Sequence, residues 1–219
     1  MKYLNIALAK GRLAQSAIDL LISCGYTFKE YNKKSRKLIF DDEENQVKIT
    51  LVKSPDVPVY VEKGAADIGI VGKDILLENK YNVYELLNLN IGKCNMCIAG
   101  FKDQLPDYSK KIVVGTKYPN IARNHFNQLG ILTDIVKLNG SVELAPIVGL
   151  SDIIVDIVES GSTLKENGLA VYENIVDISA RVIANKVTLK TKYHKIQNII
   201  ESLESIIERG GTDEKVLSK

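Results

Sequence analysis

The apolar positions of this 219-residue chain change period repeatedly, from runs that suit buried strands to three- and four-residue spacings that suit helices. That alternation predicts an α/β fold. Residues 3–9 read as a buried strand, Lys10-Gly11-Arg12 as the turn behind it, and 13–24 as a helix stopped by Gly25. Leu13, Ala17, Leu20, Leu21 and Cys24 line one side of that helix. Two strands, 37–41 and 46–53, flank the acidic run Asp-Asp-Glu-Glu-Asn, read as a solvated loop. Between 55 and 74 the pattern gives a short helix with an early Pro58, a stop at Gly64, a buried strand 67–71 and a glycine-rich loop of Gly72, Lys73 and Asp74.

Residues 90–93 read as a crossing into a second lobe with the same grammar. Its predicted elements are strands 93–101, 111–115, 131–138 and 151–158, a helix 121–129, a short helix around Val142, and a helical turn 162–167 closed by Gly168. One long extended stretch, 169–187, then returns the chain to the first lobe. An amphipathic helix 193–209 follows, with Ile196, Ile199, Ile200, Leu203, Ile206 and Ile207 on one face, and 210–219 reads as a frayed end. The expected organisation is a discontinuous lobe I, 1–90 plus about 180–210, a lobe II over 91–179, and a tail 211–219.

Charge narrows the function. Lys and Arg number 29 against 27 Asp and Glu, a net +2, and no basic block is present, which argues against a dedicated nucleic-acid binder but permits a local pocket for a phosphorylated metabolite. No stretch reaches the 18 to 20 apolar residues of a membrane span, and residues 1–12 turn polar too soon for a leader, so the expected location is cytoplasmic. The three cysteines form no disulfide framework. Cys94 and Cys97 are spaced as CxxC, but on a strand residues three apart face opposite ways and cannot share a metal.

The most informative segment is 143–164, where an apolar strand runs into Ser160-Gly161-Ser162-Thr163 at a helix start. A phosphate needs converging donors and no bulk in its way. The free N–H groups of a first helical turn, a glycine without Cβ and three hydroxyls supply them. The plainer alternative is that Ser160 or Ser162 is only a helix N-cap. Asp156, four residues before Ser160, and Glu143 in the preceding loop offer carboxylates to sugar hydroxyls. Lys10 and Arg12 either neutralise a second anionic group or are ordinary surface bases.

These residues, with the ordered blocks Ala-Leu-Ala-Lys10-Gly11-Arg12-Leu, Asp56-x-Pro58, Gly64-x-x-Asp67-x-Gly69-Ile-x-Gly72-x-Asp74, Thr116-x-Tyr118-Pro119-Asn120 and Gly140-Ser-Val-Glu-Leu-Ala-Pro, resemble ATP phosphoribosyltransferase, the first enzyme of histidine biosynthesis. The resemblance covers nearly the whole chain. It implies a two-lobed fold like type II periplasmic binding proteins, with ATP and magnesium phosphoribosyl pyrophosphate meeting in a cleft between lobes, and ATP N1 displacing pyrophosphate from ribose C1. It places Ser160, Gly161, Ser162 and Thr163 on the 5-phosphate, and Glu143 and Asp156 on the ribose hydroxyls or Mg2+. Lys10 and Arg12 fall on the pyrophosphate or ATP phosphates, and Gly11, Lys53, Gly72, Asp74, Thr116 and Tyr118 on the ATP side or elsewhere in the cleft. Tyr118 either stacks on adenine or is a packed ring.

The chain lacks the added C-terminal regulatory domain of long members, so the resemblance is to the short form. That form implies a hetero-oligomer with a regulatory subunit similar to the catalytic domain of histidyl-tRNA synthetase, and a homodimer within it. Ile147 stands where many long forms have Arg, and Glu159 where Ser is common. The reaction needs no general base because adenine N1 carries no proton, so His125 and His194 are assigned no role. The competing reading is a cytosolic two-lobed small-molecule sensor without catalysis, and a third is a phosphoribosyltransferase using another base.

Overall fold

The computed structural model describes residues 3–32 and 35–217, and the side chains only as far as 209. Its chain divides into two compact units. The first comprises 1–76, 80–92 and 179–219, the second 77–79 and 93–178.

The first unit is built on a six-stranded sheet. Strand β1 (Leu4–Ala9) leads into helix α1 (Arg12–Ser23), then β2 (Ile39–Asp42) and β3 (Val47–Val52) form a hairpin. A 3-10 turn (Ser54–Asp56) precedes α2 (Val57–Glu62), β4 (Ile68–Gly72) and α3 (Lys73–Glu78). Strand β5 (Val83–Asn88) ends this stretch. The second unit then supplies β6 (Cys94–Phe101), β7 (Ile112–Thr116), α4 (Pro119–Gln128), β8 (Thr133–Lys137), α5 (Leu144–Ile147), β9 (Ile153–Val158), α6 (Ser162–Glu166) and β10 (Leu169–Ile178). The chain re-enters the first unit as β11 (Ala180–Asn185), α7 (Thr188–Thr191) and α8 (Tyr193–Leu217).

The first sheet has the order β2-β3-β1-β4-β11-β5. Its centre, β3-β1-β4, is parallel, and β11 runs antiparallel between β4 and β5. Parallel strands are covered on both faces, which explains the near-continuous apolar run of β1. One face packs Ala17, Ile18 and Leu21 of α1 and Ile196, Ile199, Ile200 and Leu203 of α8 against Ile6, Leu8 and Ile68. On the other, Val57 and Val61 of α2 meet Ala7, Val71 and Ile183. The closeness of α2 explains Gly69, since a Cβ there would lie 2.8 Å from both Val57 Cγ1 and Val61 Cγ2.

The expected glycine-rich loop 72–74 is corrected by the structure. Gly72 ends β4, and Lys73 and Asp74 already belong to α3, because the apolar Ile75 and Leu76 give this segment a helical face that the short spacing hid. The long extended stretch 169–187 is likewise two strands in two sheets, broken at Ser179. Helix α8 extends to Leu217, past Gly210-Gly211 where the pattern places its end; residues 218–219 of the expected tail lie outside the described residues.

The second unit's sheet has the order β10-β6-β9-β7-β8, with β9, β7 and β8 parallel and β6 antiparallel to both its neighbours. Helix α4 covers one face through Ile121, Ala122 and Phe126 on Val114, Ile153 and Val155. The α5 segment and α6 cover the other through Ala145 and Leu164, which pack with Ala99 and Ile154.

Candidate functional site

Strand β9 points at the phosphate-loop candidate. Alternation puts Ile154, Asp156 and Val158 on the face shared with α5 and α6, and the chain turns from Val158 directly into Ser160. Gly161 is the N-cap residue of α6, with φ 75° and ψ 1°, in the left-handed region that favours glycine. Gly161 has no side chain to cap the helix, so neither serine occupies the N-cap position, although the Ser160 hydroxyl reaches the first N–H of the helix. The two hydroxyls lie 3.0 Å apart, and the Ser162 N–H donates to Ser160 Oγ at 3.4 Å. Ser160, Ser162 and Thr163 are exposed. The arrangement is a hydroxyl-rim loop over first-turn N–H groups, open to solvent and suited to a phosphate.

Asp156 is half-buried, and its Oδ1 accepts from the Ile157 N–H at 2.8 Å. Burial pushes its carboxyl above the ordinary value; the Ile157 hydrogen bond opposes the rise, the negative charge of Glu143 adds to it and the positive charge of Lys117 opposes it. Glu143, the N-cap residue of α5, is thus near enough for the two acids to repel. Such a pair can accept from vicinal hydroxyls, or offer two oxygens to a divalent cation whose other ligands come from a phosphorylated substrate. Among the described residues no group of three or more acidic, His or Cys side chains could hold a metal by itself.

Other site residues predicted from sequence fall in two groups. In the second unit, Thr116 is fully buried, its Oγ1 donating to the Val155 carbonyl at 2.6 Å and accepting from the Tyr118 N–H at 2.8 Å. Tyr118 is 4% exposed and packs with Ile121 and Phe126. Both side chains are committed to the core, and Lys117 between them is exposed. Lys117 was not among the residues selected from sequence. The signal was strand parity: flanked by two residues that must turn in, it must turn out. In the first unit, Lys10, Gly11 and Arg12 are exposed at the end of β1, with Gly11 at φ 104°. Lys53 is exposed past the end of β3, and Lys10 N–H donates to the Val52 carbonyl at 2.8 Å, which brings the two parallel strand ends together. Asp74 is 8% exposed in the first turn of α3, and a Cβ on Gly72 would collide with its Oδ1. Ligands gather at such carboxyl ends of parallel strands.

A cavity of about 420 Å³ opens at the other end of the second sheet's central strands, where β7 and β9 begin, lined by Phe101, Lys111, Ser151 and Asp152 among others. It contains none of the predicted residues.

The family model for ATP phosphoribosyltransferase, HisG, matches residues 53–205. The chain is 54% identical over 211 residues to the ATP phosphoribosyltransferase of Lachnoclostridium phytofermentans, covering 94% of this chain and 98% of that protein. It is 52% identical over 205 residues to that of Brachyspira hyodysenteriae, covering 93% and 100%. Among solved structures, the ATP phosphoribosyl transferase (HisG:HisZ) complex from Thermotoga maritima contains a chain that superposes with a TM-score of 0.81 at 35% identity, covering 94% of this chain and 99% of that one.

Proposed function

The chain belongs to the ATP phosphoribosyltransferase family, and we infer from that membership that it is an enzyme joining N1 of ATP to C1 of 5-phosphoribosyl 1-pyrophosphate, the first step of histidine biosynthesis. The N1–C1 bond forms as the C1–O bond to pyrophosphate breaks, and pyrophosphate leaves with the electron pair. The observation that carries the reading at the site is the succession Asp156, Val158, Ser160 to Thr163, one carboxylate and one phosphate-sized loop a few residues apart on the same strand end.

Ser160, Gly161, Ser162 and Thr163 hold the 5-phosphate through N–H groups and hydroxyls. Asp156 and Glu143 accept from the ribose hydroxyls. Those hydrogen bonds orient C1 and support the positive charge that builds on the ring as the leaving group departs. Lys10 and Arg12 stabilise negative charge on the pyrophosphate or the ATP phosphates, while Gly11, Lys53, Gly72 and Asp74 shape the ATP side. Thr116 and Tyr118 serve by holding the end of β7 rigid. Mg2+ would be held mainly by substrate phosphates, with Glu143 and Asp156 as the protein carboxylates available to it, and would supply neutralisation of the departing pyrophosphate. Positioning and electrostatics supply the acceleration, since adenine N1 has no proton to lose.

The partner is a HisZ-like regulatory subunit in a hetero-oligomer, by analogy with the Thermotoga maritima complex; a homodimer of this chain within it is what the family resemblance implies. The location is cytoplasmic; no described helix is long and apolar enough to cross a membrane. The test is turnover in the presence of that subunit with ATP, adenine, guanine and orotate as competing acceptors. ATP alone should yield one phosphoribosyl adduct per pyrophosphate released. Preference for a free base, or binding without consumption of ATP, would overturn the assignment.

A further inference from the structure

Strand register identifies one more substrate contact on the second sheet. Strands β7 and β9 are parallel with Thr116 opposite Val155, so Lys117, the first residue past the end of β7, follows level with Asp156, which lies two residues before the end of β9. Residues level in parallel strands face the same way, and adjacent strands lie about 4.8 Å apart. The parity agrees. Val114, Tyr118 and Val155 pack on the α4 side, whereas a Cβ on Gly115 would meet Ala145 of α5, which puts Lys117 with Asp156 on the α5 side. The influence of the Lys117 charge on Asp156 is consistent with that placement. The Thr116 hydroxyl, bridging the Val155 carbonyl and Tyr118 N–H, fixes the turn that presents Lys117. Among the described residues Lys117 has no ion-pair partner; its Nζ lies 5.9 Å from the Tyr118 ring centroid.

Sheet order then decides which part of the substrate Lys117 meets. Helix α6 leads from β9 to β10, which lies beyond β6 on one side of β9, whereas β7 lies on the other. A ribose seated on Asp156 with its 5-phosphate on the α6 loop therefore has its C1 substituent directed toward β7. We propose that Lys117 is a substrate-binding residue that contacts the C1 pyrophosphate of phosphoribosyl pyrophosphate, opposite the 5-phosphate loop across Asp156. The assignment rests on the reading of Ser160 to Thr163 as the 5-phosphate loop. Lysine suits it, because a flexible ammonium can follow a diphosphate as it leaves.

The experiment is calorimetric titration of the complex of this chain with its regulatory subunit, with magnesium phosphoribosyl pyrophosphate and with ribose 5-phosphate, for wild type, Lys117→Met and Lys117→Arg. Lys117→Met should raise the Kd of the pyrophosphate at least tenfold and that of ribose 5-phosphate less than twofold, and Lys117→Arg should recover most of the loss. Unchanged pyrophosphate affinity in Lys117→Met, or equal losses for both ligands, would overturn the assignment while leaving the loop reading intact. If the wild-type complex binds neither ligand, the loop reading itself fails and Lys117 falls with it.

Discussion

Asp156 sits where its own ionisation is opposed: burial and the nearby Glu143 raise its carboxyl above the ordinary 3.8, against the pull of the Ile157 N–H and Lys117. An acid whose folded value is raised destabilises the fold when charged. Its neutral form is favoured by folding at low pH, and that advantage disappears as pH rises through the folded value. Asp156→Asn should therefore raise Tm at pH 8, with the gain fading as pH falls toward 3.8. The same variant should weaken phosphoribosyl pyrophosphate binding, because an amide is a poorer acceptor for two hydroxyls. A Tm gain that persists at pH 3.5 would assign the effect to packing instead of charge. The candidate loop is suggested by residue types alone, a glycine flanked by serines after an apolar strand. Thr116 and Tyr118 illustrate the limit. Their identities suggest ligand contact, yet the fold spends both side chains inside, and only strand parity reveals Lys117 as the one that projects.

At the scale of elements, the first unit closes on itself through one buried ion pair. Lys192, between α7 and α8, donates from Nζ to Asp67 Oδ2 and to the Tyr3 carbonyl, each at 2.7 Å, and the same Asp67 oxygen accepts from the Asn5 N–H at 2.8 Å. The side chains are 13% and 7% exposed. Removing one partner strands the other's charge, so Lys192→Met should cost about 3–5 kcal/mol in urea unfolding, and the double variant Asp67→Asn/Lys192→Met should recover much of that loss. Additive losses in the double variant would contradict the pairing. Asn185 adds a second tie, donating to the Val61 carbonyl and accepting from Val187 and Thr188 N–H groups. Neither tie is visible in apolar periodicity, which records what is buried and not what polar groups meet there. The same limit explains α3, β5 and α7, none of which the pattern yields. They are four to six residues long and, unlike the equally short β7, carry charged or polar residues that interrupt the apolar run. The longer helices and all of the second unit's strands from β6 to β9 carry enough apolar repeats to be read directly.

At the scale of the whole molecule, the change of grammar near residues 90–93 points to two α/β units; in the structure residues 77–79 already belong to the second unit, and the chain enters it again after residue 92. The return was harder to see. The chain goes from β10 to β11 across Ser179 alone, with no glycine or proline to mark the change of sheet. The proposed 5-phosphate loop, the two carboxylates and Lys117 all lie in the second unit. The central claim is that this unit recognises phosphoribosyl pyrophosphate through Ser160 to Thr163, and the direct measurement is calorimetric titration of wild type and Gly161→Val with the magnesium complex of that ligand. A Cβ at 161 meets nothing closer than 3.8 Å, so the variant should fold. A β-branched residue is nevertheless strained at φ 75°, by about 1–3 kcal/mol, and it would shift the N–H groups proposed to cradle the phosphate. Magnesium-dependent binding to wild type, weakened at least tenfold in a folded Gly161→Val chain, is the expected result; equal affinity in the two would contradict the account.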